Sequence, residues 1–397
     1  MTARPLPASA RPDVALVALP DLDELARRWR ALEARSDASF FVSWDWIGTW
    51  LALLSEEGRL GACRLLVARQ GGQDAGLAVV TDGPVRRRFG LPFCRTAWLH
   101  ATGDPACDIL TIEHNDLLVA RDEADALRGA MLAAWLDTRR GAFEMTLPGL
   151  AGAGWAPGIE SGARRRVDRH DWVRRSYGVD LAAVRAAEEG DFLRLLSGNT
   201  RSQIRRSLKE YARLGPLTVT AAASVEEGLA WLDRLAELHQ AHWTARGQPG
   251  AFSNPFFTRF HRRLVSQHLP GGSVQILRVR VGEQDLGLLY SFIRGGRVYF
   301  YQSGLAYDLI EKHARPGLVA HALAVQRHAA DGHAVYDFMA GDSRYKVNLA
   351  TLDESMTWTT LRSRAWRFRL EEEIRRRRAA GRPAAEGAGD DAAGAAD

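Results

Sequence analysis

The stretch from Val298 to Lys346 gathers the residue types best able to do chemistry. Arg315-Pro316-Gly317-Leu318 opens a run, Pro316–Asp331, that is apolar almost all round, with Pro at its first position and Gly332 just past its end. That pattern predicts a helix lying inside the domain. The first N–H groups of such a helix have no intrahelical partner and point outward, which makes its N-terminus an anion cradle. Gly317 lets a ligand approach the backbone, and Arg315 adds a fixed positive charge. Downstream, Asp337 interrupts the buried strand pattern Val335–Met339 and is followed by Asp342-Ser343-Arg344-Tyr345-Lys346.

Lys346 draws attention because fifty of the 53 Lys and Arg residues are arginine, leaving only Lys209, Lys312 and Lys346. An ammonium kept in so arginine-rich a chain points to a specific need for it, since the two cations differ in hydration, shape and pKa flexibility. Lys312 sits in the loop before the cradle. Arg201, Arg205, Arg206, Lys209 and Arg213 fall on one helix whose other face is Ile204, Leu208 and Tyr211. This is either a solvated basic face or a surface for an anionic partner. His239, His242, His321 and His328 read as core or surface histidines, and no carboxylate or cysteine stands at ligand spacing near them, so no metal site is expected.

These residues must be carried by alternating helices and strands. Strand patterns run over Val14–Leu19, Ala62–Gln70, Ala75–Thr81, Phe143–Leu147, Val274–Val281, Leu286–Ile293, Val298–Leu305, Val335–Met339 and Met356–Leu361. Helical periodicity covers Leu22–Arg35, Ser43–Leu54, Asp122–Asp137, Asn254–His268 and Ala365–Arg378. Ser224-x-x-Glu227 is a capping box opening a further helix through Trp243. At an offset of 211 residues the two halves align without gaps: Leu66, Arg69, Gly71, Gln73, Asp74, Gly76 and Leu77 meet Leu277, Arg280, Gly282, Gln284, Asp285, Gly287 and Leu288, and Phe41 and Trp46 meet Phe252 and Phe257. So long a period implies a duplicated domain rather than a solenoid. The expected organisation is a first lobe over 12–150, a linker over 151–175, a second lobe over 176–370 and a disordered tail over 379–397.

Composition narrows the class. With 46% hydrophobic and 25% charged residues the chain reads as soluble and globular. No apolar run is long enough to span a bilayer, the N-terminus lacks an apolar signal core, and three cysteines are too few for a disulfide framework. The expectation is a reduced, cytoplasmic protein. Its net charge of +5 suits an anionic cofactor better than it argues for nucleic acid, because the arginine bias follows base composition.

The order strand–strand–strand, phosphate loop, helix, strand, with F-Y-Q-S-G, R-P-G and Y-D-F-M-A-G-D-S-R-Y-K as its text, resembles the GNAT-like acetyltransferases of the CelD/BcsL type, associated with cellulose biosynthesis and similar in turn to the tandem-GNAT Fem transferases. F-F-V-S-W-D-W-I-G-T-W and R-S-Q-I-R-R-S-L-K-E-Y extend the likeness over most of residues 12–370. The resemblance implies an α/β (α+β) fold of two GNAT-like lobes, each a mixed, mainly antiparallel sheet flanked by helices. It implies acetyl-CoA, or another acyl-CoA, as cosubstrate, held by Tyr301, Gln302, Ser303, Lys312, Arg315, Gly317 and Leu318. Asp337, Tyr345 and Lys346 would supply acid, base or charge, and Arg201 and Arg205 would meet the acceptor, a small molecule or saccharide.

Each of these has a plainer reading: Asp337 as a loop cap or partner of a neighbouring arginine, Tyr345 as a core tyrosine. The family loop is Q/R-x-x-G-x-G/A, whereas Arg315-Pro316-Gly317-Leu318 has a single glycine. Two alternatives follow: a Fem-like transferase using aminoacyl-tRNA, and a non-enzymatic GNAT pair assisting polysaccharide assembly. The corresponding helix of the first lobe opens with Arg121-Asp122-Glu123, whose carboxylates repel a diphosphate. One acyl-CoA per chain, in the second lobe, is therefore expected.

Overall fold

The computed structural model describes residues 12–152, 154–155 and 158–380. The first half runs β1 (Asp13–Ala18), α1 (Leu22–Glu33), α2 (Trp44–Glu56), β2 (Cys63–Gln70), β3 (Gln73–Asp82), β4 (Arg86–Arg88), β5 (Leu91–Leu99), α3 (Pro105–Asp108), β6 (Leu118–Val119), α4 (Ala124–Asp137) and β7 (Phe143–Ala151). The second runs β8 (Val167–Asp180), α5 (Leu181–Ala186), α6 (Gly198–Tyr211), β9 (Leu217–Ala221), α7 (Val225–Thr244), α8 (Pro255–His268), β10 (Val274–Val281), β11 (Gln284–Arg294), β12 (Arg297–Leu305), α9 (Pro316–Ala330), β13 (Val335–Ala340), α10 (Arg344–Leu349), β14 (Leu352–Ser363) and α11 (Trp366–Ala380). The mixed α/β class holds: a large, mostly antiparallel sheet is flanked by helices.

Capping chemistry sets the helix starts. Ser224 Oγ accepts from Glu227 N at 3.1 Å, while the Glu227 carboxylate reaches one residue further back than expected, to Ala223 N at 2.7 Å. Asn254 is the cap of α8 rather than its first residue, its Oδ1 accepting from Phe256 N and Phe257 N.

The duplication is visible in backbone detail. The β2–β3 and β10–β11 hairpins both pair Arg with Asp and then turn, Arg69 opposite Asp74 and Arg280 opposite Asp285. Both also shift register one step earlier, between Ala68 and Arg69 and between Val279 and Arg280. Gly71 and Gly282 occupy the same turn position, each with φ 55°, where a β-carbon is disfavoured.

The lobes nevertheless do not have separate sheets. One path runs β1-β2-β3-β5-β7-β14-β8-β13-β12-β11-β10-β9. β8 follows β7 in sequence but pairs with β13, and β14 follows β13 but pairs with β7. Each lobe thus receives its last strand from the other, and β8 and β14 pair with each other from Val167–Ser363 to Gly178–Leu352. The expected linker over 151–175 is for this reason largely structure: its second part is the first half of β8, which pairs with β14 from Val167 onward, while β13 joins the other side of β8 only from Ser176. Of the expected disordered tail, Ala379 and Ala380 end α11, and the rest lies outside the described residues.

Three cores follow from this topology. α4 covers one face of the first lobe, with Met131 and Trp135 fully buried, and α9 covers the second, with Val319 and Val325. The third core is shared. α1 and α2 pack with α7 and α8 between the lobes, where Phe40 stacks on Phe292 at 4.3 Å and Trp46 meets Phe260 at 4.7 Å. Each such ring contributes roughly 1.5–3 kcal/mol by burial, so this core binds the lobes into one body.

Candidate active site

β12 and β13 are parallel neighbours for only three residue pairs, ending at Tyr299 and Asp337, after which they part. Asp337 helps to bend β13 away. Its Oδ1 accepts from Met339 N at 2.7 Å, and Met339 takes a positive φ of 65°. Its Oδ2 is 2.6 Å from Arg297 Nη1 and 2.8 Å from His114 Nε2. Burial would raise the Asp337 pKa, but His114, Arg297 and the Met339 N–H outweigh it and bring it to about 2. The aspartate is 1% exposed, so it is a buried ion-pair partner.

Lys346 is equally buried and donates to Ala340 O at 2.9 Å. From the other lobe, Glu113 accepts from Ala340 N at 2.9 Å. Burial pushes the Glu113 pKa up, against the pull of the Ala340 N–H and Lys346. Both backbone polar groups of Ala340 are thereby held, and the end of β13 is fixed beside the gap.

The gap leads to a cavity of about 300 Å3 at the N-terminus of α9. Ser303 and Leu305 of β12, Tyr307 just after it, His242 of α7, Arg246 just past the end of α7, Arg315 to Leu318, His321, and Arg344, Tyr345 and Asn348 of α10 line it. Arg246, Arg315 and Arg344 make it basic, and no carboxylate is among the described lining residues. Arg315 is the N-cap of α9 in left-handed conformation, φ 36° and ψ 52°, and makes no side-chain cap bond. The N–H groups of Gly317 and Leu318 therefore stay available to a ligand, and the helix dipole favours an anion there. Tyr345 stacks on His321, centroids 5.1 Å apart and planes 11° from parallel. His321 Nδ1 lies 3.0 Å from the Tyr336 hydroxyl, and burial lowers its pKa to about 3, so the ring is neutral near pH 7.

Of the residues expected here, Ser303, Arg315, Gly317, Leu318 and Tyr345 meet in the cavity. The others lie outside its lining. Asp337 and Lys346 stand behind it; Lys346 faces inward from α10 while the adjacent Tyr345 faces the cavity. Tyr301 turns to the shared core and its hydroxyl donates to Leu110 O. Gln302 Oε1 accepts from Ser303 N at 3.0 Å. Lys312 is exposed in the loop before α9. Arg201 and Arg205 lie on α6, where Arg205 is 3.6 Å from Asp191. The sequence reads His321 as a core or surface histidine; it is buried and also part of the wall. Its position four residues after Gly317, one turn along the same helix face, was the available signal.

The first lobe differs at the matching place. The N-cap of α4 is also left-handed, φ 72°, but it is Glu123, held by Gln70 Nε2 at 2.8 Å. A second cavity, of about 240 Å3, lies between α2 and the end of β5; Trp46, Trp50, Trp98 and Trp358 line it, with no arginine among the described lining residues. Among the described residues no group of three or more His, Cys, Asp and Glu is placed to hold a metal ion.

No curated protein matches the chain in sequence. A conserved protein of unknown function from Bacteroides thetaiotaomicron VPI-5482 shares the fold, with TM-score 0.52 and 11% identity over 88% of this chain and 99% of its own. FemX gives 0.49 and 12% over 86% and 96%, and L-PGS from Bacillus licheniformis 0.48 and 12% over 90% and 97%. The segment that carries β12, α9 and the cavity is also the one with a family match: residues 198–347 match the acetyltransferase (GNAT) domain.

Proposed function

We propose that the protein is an acyl-CoA-dependent acyltransferase, using acetyl-CoA and acting on an amine or hydroxyl of a small molecule or saccharide. The observation that carries this reading is the basic cavity at the uncapped N-terminus of α9, beside the parting of β12 and β13, inside the segment that matches a GNAT domain. A diphosphate fits the N–H groups of Gly317 and Leu318, with Arg315, Arg246 and Arg344 as counter-charges. The acyl arm would enter where β12 and β13 part, alongside Ser303 and Leu305.

In the reaction the acceptor nitrogen or oxygen bonds to the thioester carbon, the C–S bond breaks, and the thiolate leaves. Tyr307 and Tyr345 both line the cavity; Tyr345, carried by α10 and stacked on His321, is assigned as the acid that protonates the thiolate. The proton released by the acceptor then restores the phenol. Asp337 and Lys346 are assigned as positioning residues, which hold Met339 and Ala340 and so keep the gap open.

Release of free CoA thiol from acetyl-CoA, followed across a panel of amines and sugars, tests this reading. Turnover with at least one acceptor is expected, and Tyr345→Phe should lower kcat by on the order of 10²-fold with KM for acetyl-CoA little changed. A Tyr345→Phe protein with wild-type kcat would remove the phenol from the mechanism. Absence of any acetyl-CoA binding would remove the reaction itself.

A further inference from the structure

The β4–β5 hairpin ends in a two-residue turn, Phe89-Gly90, closed by the pair Arg88–Leu91. Both turn residues have positive φ, 49° and 78°. Such turns favour Asn, Asp or Gly at the first position, because a β-carbon is disfavoured there. Here that position carries a phenylalanine that is 93% exposed, followed by Leu91 at 70%. The ring is therefore unfavourable to the local backbone and to solvation alike.

α11 lies against this hairpin. Phe93 packs edge-on to Phe368 at 5.4 Å, Arg86 and Arg88 pair with Glu371, and Arg367 donates to Phe93 O at 3.1 Å. The helix face turned to solvent carries Trp366, 69% exposed, then Leu370 and Ile374, also exposed, at four-residue spacing. Charge surrounds these apolar groups. The hairpin segment 85–92 has three arginines and no acid, and α11 has six arginines against three glutamates. The segment 381–397 contains no apolar residue larger than proline.

Exposed aromatic and aliphatic side chains within an excess of arginine are the chemistry of an interfacial anchor. No helix among the described residues is long and apolar enough to cross a membrane, so the surface would lie on a bilayer rather than span it. We propose that the β4–β5 hairpin tip and the outer face of α11 form a docking surface for an anionic lipid bilayer. Phe89, Leu91 and Trp366 would enter the headgroup boundary while Arg87, Arg367 and Arg369 meet lipid phosphates. This inference is independent of the acyl-transfer reading.

The test is co-sedimentation of the full chain with vesicles of phosphatidylcholine alone and of phosphatidylcholine with phosphatidylglycerol. Binding is expected to the anionic vesicles only and to weaken as salt rises. Phe89→Asn supplies a residue that the turn prefers. It should keep or raise the unfolding midpoint, leave acyl transfer in solution unchanged, and reduce partition to anionic vesicles at least about tenfold. Arg87→Glu should reduce it similarly. Failure to bind anionic vesicles, equal binding to neutral ones, or wild-type binding by Phe89→Asn would each overturn the proposal. So would a concentration-dependent dimer of the wild type that Phe89→Asn dissolves, since the patch would then be a contact between copies.

Discussion

Asp337 and Lys346 lie nine residues apart in sequence and serve one stretch of backbone, the end of β13. Removing the Asp337 charge leaves Arg297 and His114 facing a neutral amide in a buried site, which should cost on the order of 3 kcal/mol. Asp337→Asn is therefore expected to lower the unfolding midpoint first, and to reduce turnover through loss of geometry. The pH dependence distinguishes this from a catalytic base. A carboxylate whose folded pKa is about 2 stabilises the fold fully above its unfolded pKa near 4, and that contribution is lost as pH falls from about 4 to about 2. Chemical unfolding of Asp337→Asn across that window should show a shallower acid limb than wild type; identical limbs would contradict the assignment. The pairing with an arginine was open to the sequence, which contains an aspartate in a buried strand pattern and arginines close by. His114 and Glu113 were not legible, because Glu113 meets Ala340 across 227 residues and no local spacing encodes that contact.

At the scale of elements, α9 and α4 occupy matching places in the duplicated lobes and begin on opposite charges, Arg315 and Glu123, both left-handed. Arg315→Glu gives α9 the cap that α4 has. It should weaken acetyl-CoA binding by on the order of ten- to a hundred-fold, as expected for reversing one charge at a helix N-terminus facing phosphate, while saturated turnover stays near wild type. A parallel loss of kcat would place Arg315 in the chemical step instead. α9 was largely legible, since Pro at its start and Gly332 at its end are local signals and its apolar surround requires burial. The hairpins were legible for the same reason. The third and fourth walls of the cavity, Arg246 from the turn after α7 and Arg344 from α10, came together only through the sheet order, which periodicity does not specify.

For the whole molecule, exchange of β8 and β14 makes each lobe depend on the other for its final strand, and the shared aromatic core adds to the dependence. Unfolding should be a single transition, with calorimetric and van't Hoff enthalpies equal; two resolved transitions would show that the lobes are separable. Acid should act early. Burial lowers His100, His239 and His328 to about 4 and His261 and His321 to about 3. Below the unfolded pKa of about 6.5 the unfolded chain binds protons that the folded one refuses, so stability should fall as pH drops from about 6.5 to about 4, and a midpoint flat across that range would contradict this burial. The exchanged sheet could not be read from sequence, because either lobe's last strand satisfies the pattern with either partner. The contrast between the two helix starts was readable, as carboxylates in one and an arginine in the other, and the proposed division of labour between the lobes rests on it. It is also the centre of the account. Isothermal titration of the full chain with acetyl-CoA tests it most directly: one site per chain is predicted, lost or strongly weakened in Arg315→Glu, whereas two sites per chain, or one site indifferent to Arg315→Glu, would contradict it.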